Sequence, residues 1–312
     1  MVESANQRRP DHEALRQVEL RLESAKSELD LWIEREVIGK LEEEQFTEPL
    51  LYIIRGGKRL RGSLVIALSE ELGGTGDKAL RSAAAVELVH ASSLALDDII
   101  DLDLNRRGRP AAWVALGVSK TVLVSNYLIP LAQSLVEPLG FAALSEVIRC
   151  WLEMTRGELL DAFSPSAPYE LVIDLKTSSL FRLALSLAAF SADERSLIPT
   201  LRSLGTRLGL AYQVADDLVD ICAASKKGTR EVAGLSRFVK WLGLEVEPNA
   251  FNCGAEVLER GLDKLLGVVR EAEEEAKRIG STAPILRFVP RYMVFRMLKE
   301  GLPSHAEKVL LE

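Results

Sequence analysis

Apolar residues recur at three- and four-residue spacing along nearly the whole chain. That is the repeat of helices that bury one face, because about 3.6 residues complete one turn. The pattern predicts helices over residues 12–40, 59–73, 77–103, 119–137, 140–162, 168–192, 194–223 and 252–279. Breaks are predicted at Gly56-Gly57, Gly73-Gly74, Gly108 to Pro110, Pro165 to Pro168, Lys227-Gly228 and Gly301 to Pro303. No stretch alternates with the period of two that a strand needs, and no long linker or repeat divides the chain. The expectation is an all-α fold: a single domain over 12–312, preceded by a disordered N-terminus over 1–11. Gly74-Thr75-Gly76-Asp77 formally matches part of a dinucleotide fingerprint, but it follows a helical stretch and not a strand. It is read as a helix C-cap followed by a new helix start.

Composition narrows the class. The chain has 312 residues, 47% of them apolar, and a net charge of 39 − 46 = −7. An acidic balance argues against a nucleic-acid partner, which would call for a basic excess. No apolar run approaches the ~20 residues of a membrane span, and the N-terminus lacks an apolar signal core. A cytoplasmic protein is expected. The three cysteines, Cys150, Cys222 and Cys253, are widely spaced, so neither a disulfide framework nor a zinc site is expected.

One motif changes the picture. Asp-Asp-x-x-Asp occurs twice, as Asp97-Asp98-Ile99-Ile100-Asp101 and as Asp216-Asp217-Leu218-Val219-Asp220. Both copies interrupt apolar helical stretches, where ionised carboxylates are costly without a compensating cation. Residues four apart share a helix face, so Asp97 pairs with Asp101 and Asp216 with Asp220. Magnesium suits such carboxylate sets, because it takes oxygen ligands and joins them to substrate phosphates. A surface accident would have to recur with the same spacing. Two basic clusters, Gly56-Gly57-Lys58-Arg59-Leu60-Arg61 and Arg106-Arg107-Gly108-Arg109, supply the matching anion site. The first stands at a helix start, where free N–H groups also favour phosphate. Alone, each cluster would read as a solvated face.

Over about residues 50–223 the chain resembles the trans-prenyltransferases, the isoprenyl diphosphate synthases. The resemblance rests on Gly56-Gly57-Lys58-Arg59-x-Arg61 and on the first aspartate motif with Arg106-Arg107-Gly108-Arg109-Pro110. It continues in Gly157-Glu158-x-x-Asp161, Lys176-Thr177-x-x-Leu180 and Tyr212-Gln213-x-x-Asp216-Asp217-x-x-Asp220. It implies an isoprenoid synthase-type helical bundle around a central cavity, and a homodimer. It further implies that Asp97, Asp101 and Asp216 bind about three Mg²⁺ holding an allylic diphosphate, with Asp98, Asp217 and Asp220 behind them. Arg106, Lys176, Thr177 and Gln213 would serve the allylic side. Lys58, Arg61, His90 and Arg107 would bind isopentenyl diphosphate. Without the resemblance, His90 would read as a hydrogen-bonded core histidine, and Lys176-Thr177 as a helix-surface pair.

The chain departs from the family's pattern at Leu96, at Ser125-Asn126 and after the second motif. There, in place of a glycine–lysine loop, stands Ala223 to Arg230, and any of Lys226, Lys227 or Arg230 could replace the loop lysine. Small residues below the first motif, Ser92, Ser93, Val89 and Ala85, imply a deep channel and a product of twenty carbons or more. Tyr127 or Trp151 could close that channel from a facing helix. The competing readings are a non-catalytic partner subunit and a class I terpene cyclase.

Overall fold

The computed structural model describes residues 3–41, 43–227, 233–245 and 254–311, with side chains for 13–41, 43–223, 235–245, 254–280 and 282–310. The early elements are α1 (Glu3–Trp32), α2 (Glu44–Ile54), α3 (Leu60–Glu71) and α4 (Asp77–Ile100). A two-residue hairpin follows, β1 (Asn105–Arg106) with β2 (Arg109–Pro110), then α5 (Ala112–Leu116), α6 (Val118–Val136) and α7 (Phe141–Phe163). Next come α8 (Tyr169–Ile173), α9 (Ser179–Ser191), α10 (Ile198–Lys227) and α11 (Ala233–Trp241). The chain closes with α12 (Ala255–Lys277), α13 (Val289–Gly301) and α14 (Pro303–Leu311). The all-α expectation holds. The first helix begins inside the stretch read as a disordered N-terminus. Among the described residues, no helix is long and apolar enough to cross a membrane.

The residues group into two compact units. One comprises 21–151 and 183–198. Its centre is α4, in which Ala83, Ala84, Ala85, Val86, Leu88 and Val89 are all fully buried. A helix apolar all round belongs in the middle of a core, and its small residues let α3 and α6 pack closely. The turn into α4 is a Schellman cap. The Gly74 N–H donates to the Ser69 carbonyl and the Gly73 N–H to that of Glu70, with Gly73 at φ 86°. This bears out the C-cap reading of the glycine run.

The other unit comprises 1–20, 152–182 and 199–312. Val214, Ala215, Leu218 and Ile221 of α10 form its core with Leu262, Leu265 and Val269 of α12 and with Phe238 of α11. Each fully buried aliphatic side chain contributes roughly 1.5–3 kcal/mol. Between α8 and α9 the helix widens into a π-helical turn, Asp174–Ser178. Gly157 and Gly209 make room for it. A Cβ at Gly157 would stand 2.7 Å from the Lys176 nitrogen, and one at Gly209 would stand 2.4 Å from the Ser178 Cα.

Several elements were not in the periodic pattern. Helix α2 carries Pro49 in its interior, where sequence rules place a break. Helices α11, α13 and α14 run for 9, 13 and 9 residues, too short for a strong periodic signal. The hairpin is a two-residue ladder, Asn105 opposite Pro110 and Arg106 opposite Arg109. Cys150 is a buried thiol, and Cys222 is disulfide-bonded; a single disulfide is not the framework that the spacing argued against.

Candidate functional site

In the unit built on α4, the first aspartate motif sits on the last turn of that helix. Asp97 is half-buried, Asp101 is exposed, and Asp98 is only 2% exposed. Asp98 is held by Arg106, whose Nε donates to it at 2.7 Å and whose Nη2 also reaches it and, at 2.9 Å, Asp103. Arg106 therefore has protein partners in the role where the resemblance implied a diphosphate contact. The hairpin that delivers it is anchored from behind. Arg109 donates Nη2 to the Tyr52 carbonyl at 2.6 Å and to the Arg55 carbonyl at 3.0 Å, with its guanidinium 4.5 Å above the Tyr52 ring.

The basic loop before α3 divides into two kinds of cation. Lys58 is exposed. Arg59 turns inward through a left-handed backbone, φ 49°. Its Nε donates to Asp30 at 2.9 Å, its Nη2 to the Ile54 carbonyl at 2.8 Å, and its Nη1 lies 3.6 Å from Glu87. Glu87 in turn accepts the Gly62 N–H at 2.8 Å. Arg59 thus braces the loop that presents Lys58 and Arg61. Glu87 was missed in sequence, although a glutamate between Val86 and Leu88 was a visible signal.

His90 stands on α4 with Arg61 Nη1 3.4 Å from its Nε2. An arginine can only donate, so Nε2 is the acceptor and the proton resides on Nδ1. Burial first, and then the charges of Arg61, Arg107, Arg59 and Arg106, hold its pKa well below the ordinary histidine value. His90 is a neutral imidazole among cations. Arg107 lies over Gly57, where a Cβ would meet its guanidinium at 2.7 Å. Lys58, Arg61, His90 and Arg107 all belong to this one unit, as a shared role requires.

The chain-length residues divide too. Ser92, Val89 and Ala85 are fully buried, and the Ser92 hydroxyl donates to the Ser125 carbonyl of α6 at 3.0 Å. Ser93 is half-buried, on the face of α4 that carries Asp97.

In the other unit, α10 repeats the arrangement of the first motif. Asp216 is half-buried, Asp220 exposed, and Asp217 is again tied to protein. Tyr169 donates its hydroxyl to Asp217 Oδ2 at 2.6 Å, and Gln213 Nε2 donates to Oδ1 at 2.9 Å. Thr177 donates to the Gln213 carbonyl oxygen at 2.9 Å. Gln213 and Thr177 are thereby joined in a chain that ends on Asp217. Tyr169, which nothing in the sequence singled out, completes the hold. Lys176, lifted out by the π-helical turn, meets Glu158 at 2.6 Å and Asp161 at 3.6 Å. Among the described residues no three acidic, histidine or cysteine side chains are already gathered as a metal cage. Lys226 and Lys227, in side chain, and Arg230 lie outside the described residues.

Desolvation pushes Asp217 up to about 7, against the two hydrogen bonds that favour its ionised form, with Asp216 and Asp220 adding to the rise. The folded value lies above the ordinary aspartate value of 3.8. Stability from this group is therefore present in full below about pH 4 and is lost as pH rises through 7. Unfolding in chelator between about pH 5 and 8 should show the wild type losing stability with rising pH relative to Asp217→Asn. Parallel curves would refute this.

The polyprenyl synthetase family model matches residues 43–234. The chain belongs to the polyprenyl synthetase family. Among its relatives is the hexaprenyl pyrophosphate synthase of Saccharolobus solfataricus, 41% identical over 170 residues, which are 54% of this chain and 60% of that one. The geranylfarnesyl diphosphate synthase of Methanosarcina mazei is 32% identical over 53% of this chain and 58% of its own. The match thus spans about 60% of the length of these two relatives. The farnesyl diphosphate synthase of Escherichia coli is 32% identical over 61% of this chain and 72% of its own. Among solved structures, a polyprenyl synthase from Caulobacter crescentus, complexed with calcium and isoprenyl diphosphate, gives a TM-score of 0.75. It is 22% identical, with coverage of 90% of this chain and 97% of that one. An FPP/GFPP synthase from Zymomonas mobilis gives 0.69 at 26% identity, with 90% and 99% coverage. The polyprenyl synthetases share the all-α fold described here.

Proposed function

We propose that this polyprenyl synthetase condenses isopentenyl diphosphate with an allylic diphosphate, with Mg²⁺, and makes products of twenty carbons or more. One observation carries the reading. Both aspartate motifs are intact and built alike, with the second carboxylate tied to protein, the first half-buried and the third exposed. The donor set is all oxygen, which fits Mg²⁺ and disfavours zinc. Each motif would bind it within its own unit, through Asp97 and Asp101 at the end of α4 and through Asp216 on α10. When bound, the metal supplies positive charge against the diphosphate that departs from the allylic carbon.

The chain's own residues do the rest. Lys176 stands by the second motif as a fixed cation for the leaving group. Lys58, Arg61 and Arg107 hold isopentenyl diphosphate, and neutral His90 adds a hydrogen bond without drawing its proton. No protein nucleophile is required, since the isopentenyl double bond attacks the allylic cation and a proton leaves to diphosphate. Apolar walls keep water from quenching the cation. The second copy implied by the family would cover the apolar side chains exposed one turn apart on α6, Leu123 and Tyr127. The solution mass would show it.

The deciding assay supplies Mg²⁺, isopentenyl diphosphate and primers of increasing length to the purified protein. Exclusively fifteen-carbon product would sink the length assignment. No Mg²⁺-dependent turnover would leave the non-catalytic subunit. Ser93, on the Asp97 face, is the position a growing tail meets, so Ser93→Phe should shorten the product by at least one five-carbon unit. An unchanged product profile would remove Ser93 from the channel.

A further inference from the structure

The family match ends at residue 234, and α11 lies almost wholly beyond it. Helix α11 nevertheless reaches both supports of the second aspartate motif. Arg237 is only 7% exposed. It donates Nη1 to Asp161 Oδ1, and Nη2 to the carbonyls of Asp161 at 2.9 Å and Ser164 at 3.4 Å. Those carbonyls close the C-terminal end of α7, where the helix dipole favours a cation. The other Asp161 oxygen, Oδ2, lies 3.6 Å from Lys176 Nζ. One carboxylate is shared between an arginine and the lysine of the proposed site.

The aromatic residues of α11 reach the other support. The rings of Phe238 and Trp241 lie 5.7 and 5.0 Å from that of Tyr169, whose hydroxyl holds Asp217. The Trp241 Nε1 donates to Glu170 at 2.8 Å, which fixes α11 against α8.

The geometry points to Arg237 as a positioning residue that keeps Lys176 competent to bind a diphosphate, by engaging Asp161 and offsetting its charge. This rests on the diphosphate reading of the site. The positive charge of Arg237 offsets part of the field that Asp161 exerts on Lys176. Without Arg237 the whole Asp161 charge turns on Lys176, which Glu158 already holds at 2.6 Å. A phosphate oxygen must then displace two carboxylates from one ammonium, so anion affinity falls. A helix that merely glued α7 to α11 would have no such effect.

The test uses the full chain as wild type, Arg237→Gln, Asp161→Asn and the double variant. Binding of inorganic diphosphate with Mg²⁺ is measured by calorimetry, and KM for farnesyl and isopentenyl diphosphates by turnover. Arg237→Gln should raise the diphosphate Kd and the farnesyl KM about tenfold, the worth of one charge-assisted contact. The isopentenyl KM should change less than about twofold, because its proposed ligands lie in the other unit. Adding Asp161→Asn should bring both affected constants back to within about threefold of wild type, since the competing charge is gone. An unchanged single variant, an unrescued double variant, or an equal rise in both KM values would overturn the proposal. If Arg237→Gln does not fold, the double variant is compared with Asp161→Asn alone; equality is expected and a tenfold weaker double variant refutes. Wild type inert with every primer removes the functional reading and this proposal with it. An active wild type with an unrescued variant removes only this proposal.

Discussion

Asp97→Asn and Asp216→Asn are each expected to lower Mg²⁺-dependent turnover about a thousandfold, the scale on which preorganised charge at a leaving group operates. Both residues are half-buried carboxylates that share a helix face with the third aspartate of their motif, so the metal-facing role is assigned to them. Metal-free, the Asp216→Asn variant loses one repulsive charge beside Asp217. Asp216 and Asp220 already raise the pKa of Asp217, a sign of repulsion within the turn, and removing one charge relieves it. What the variants should lose is the stabilisation that Mg²⁺ and diphosphate together give the wild type. Turnover within about tenfold of wild type in either variant would contradict the metal assignment.

Glu87→Ala is expected to cost about 3 kcal/mol, the lower end of what breaking a buried ion pair costs, because Arg59 keeps Asp30 and the Ile54 carbonyl. The side chains of Arg59 and Glu87 are only 5% and 4% exposed. Removal leaves the Gly62 N–H without its acceptor and leaves Arg59 with one fewer counter-charge. Denaturant unfolding reads the loss. Glu87→Gln, which can still accept from Gly62, should cost less. The isopentenyl KM should rise in the alanine variant, because Arg59 sets the backbone between Lys58 and Arg61. A loss under about 1 kcal/mol would show that the pair is dispensable.

Much of the site was legible because its chemistry is local. Asp97 and Asp101, or Asp216 and Asp220, share a helix face whatever the tertiary fold, and the Gly56-Gly57 break marks the start of α3 in any context. The supports were not legible. Tyr169 and Arg237 are separated from their partners Asp217 and Asp161 by 48 and 76 positions. Arg59 looked like one more loop cation because spacing cannot show a left-handed residue turning inward. Arg106 reads in sequence as a substrate ligand, and its two carboxylate partners become visible only when the hairpin closes. Ser93 shares the Asp97 face by helix spacing alone, whereas only packing sets Ser92 against α6.

The sequence by itself determined the all-α class, the helices around both aspartate motifs and the all-oxygen donor set those motifs offer. Those follow from hydrophobic period and from residues within one or two turns of each other. Only the tertiary structure decided which charged side chains are braces. That depends on burial and on partners remote in the chain, where a carboxylate or guanidinium must find its counter-charge once water is gone. The twin motifs come from local spacing, whereas the way the middle aspartate of each is held comes from the fold.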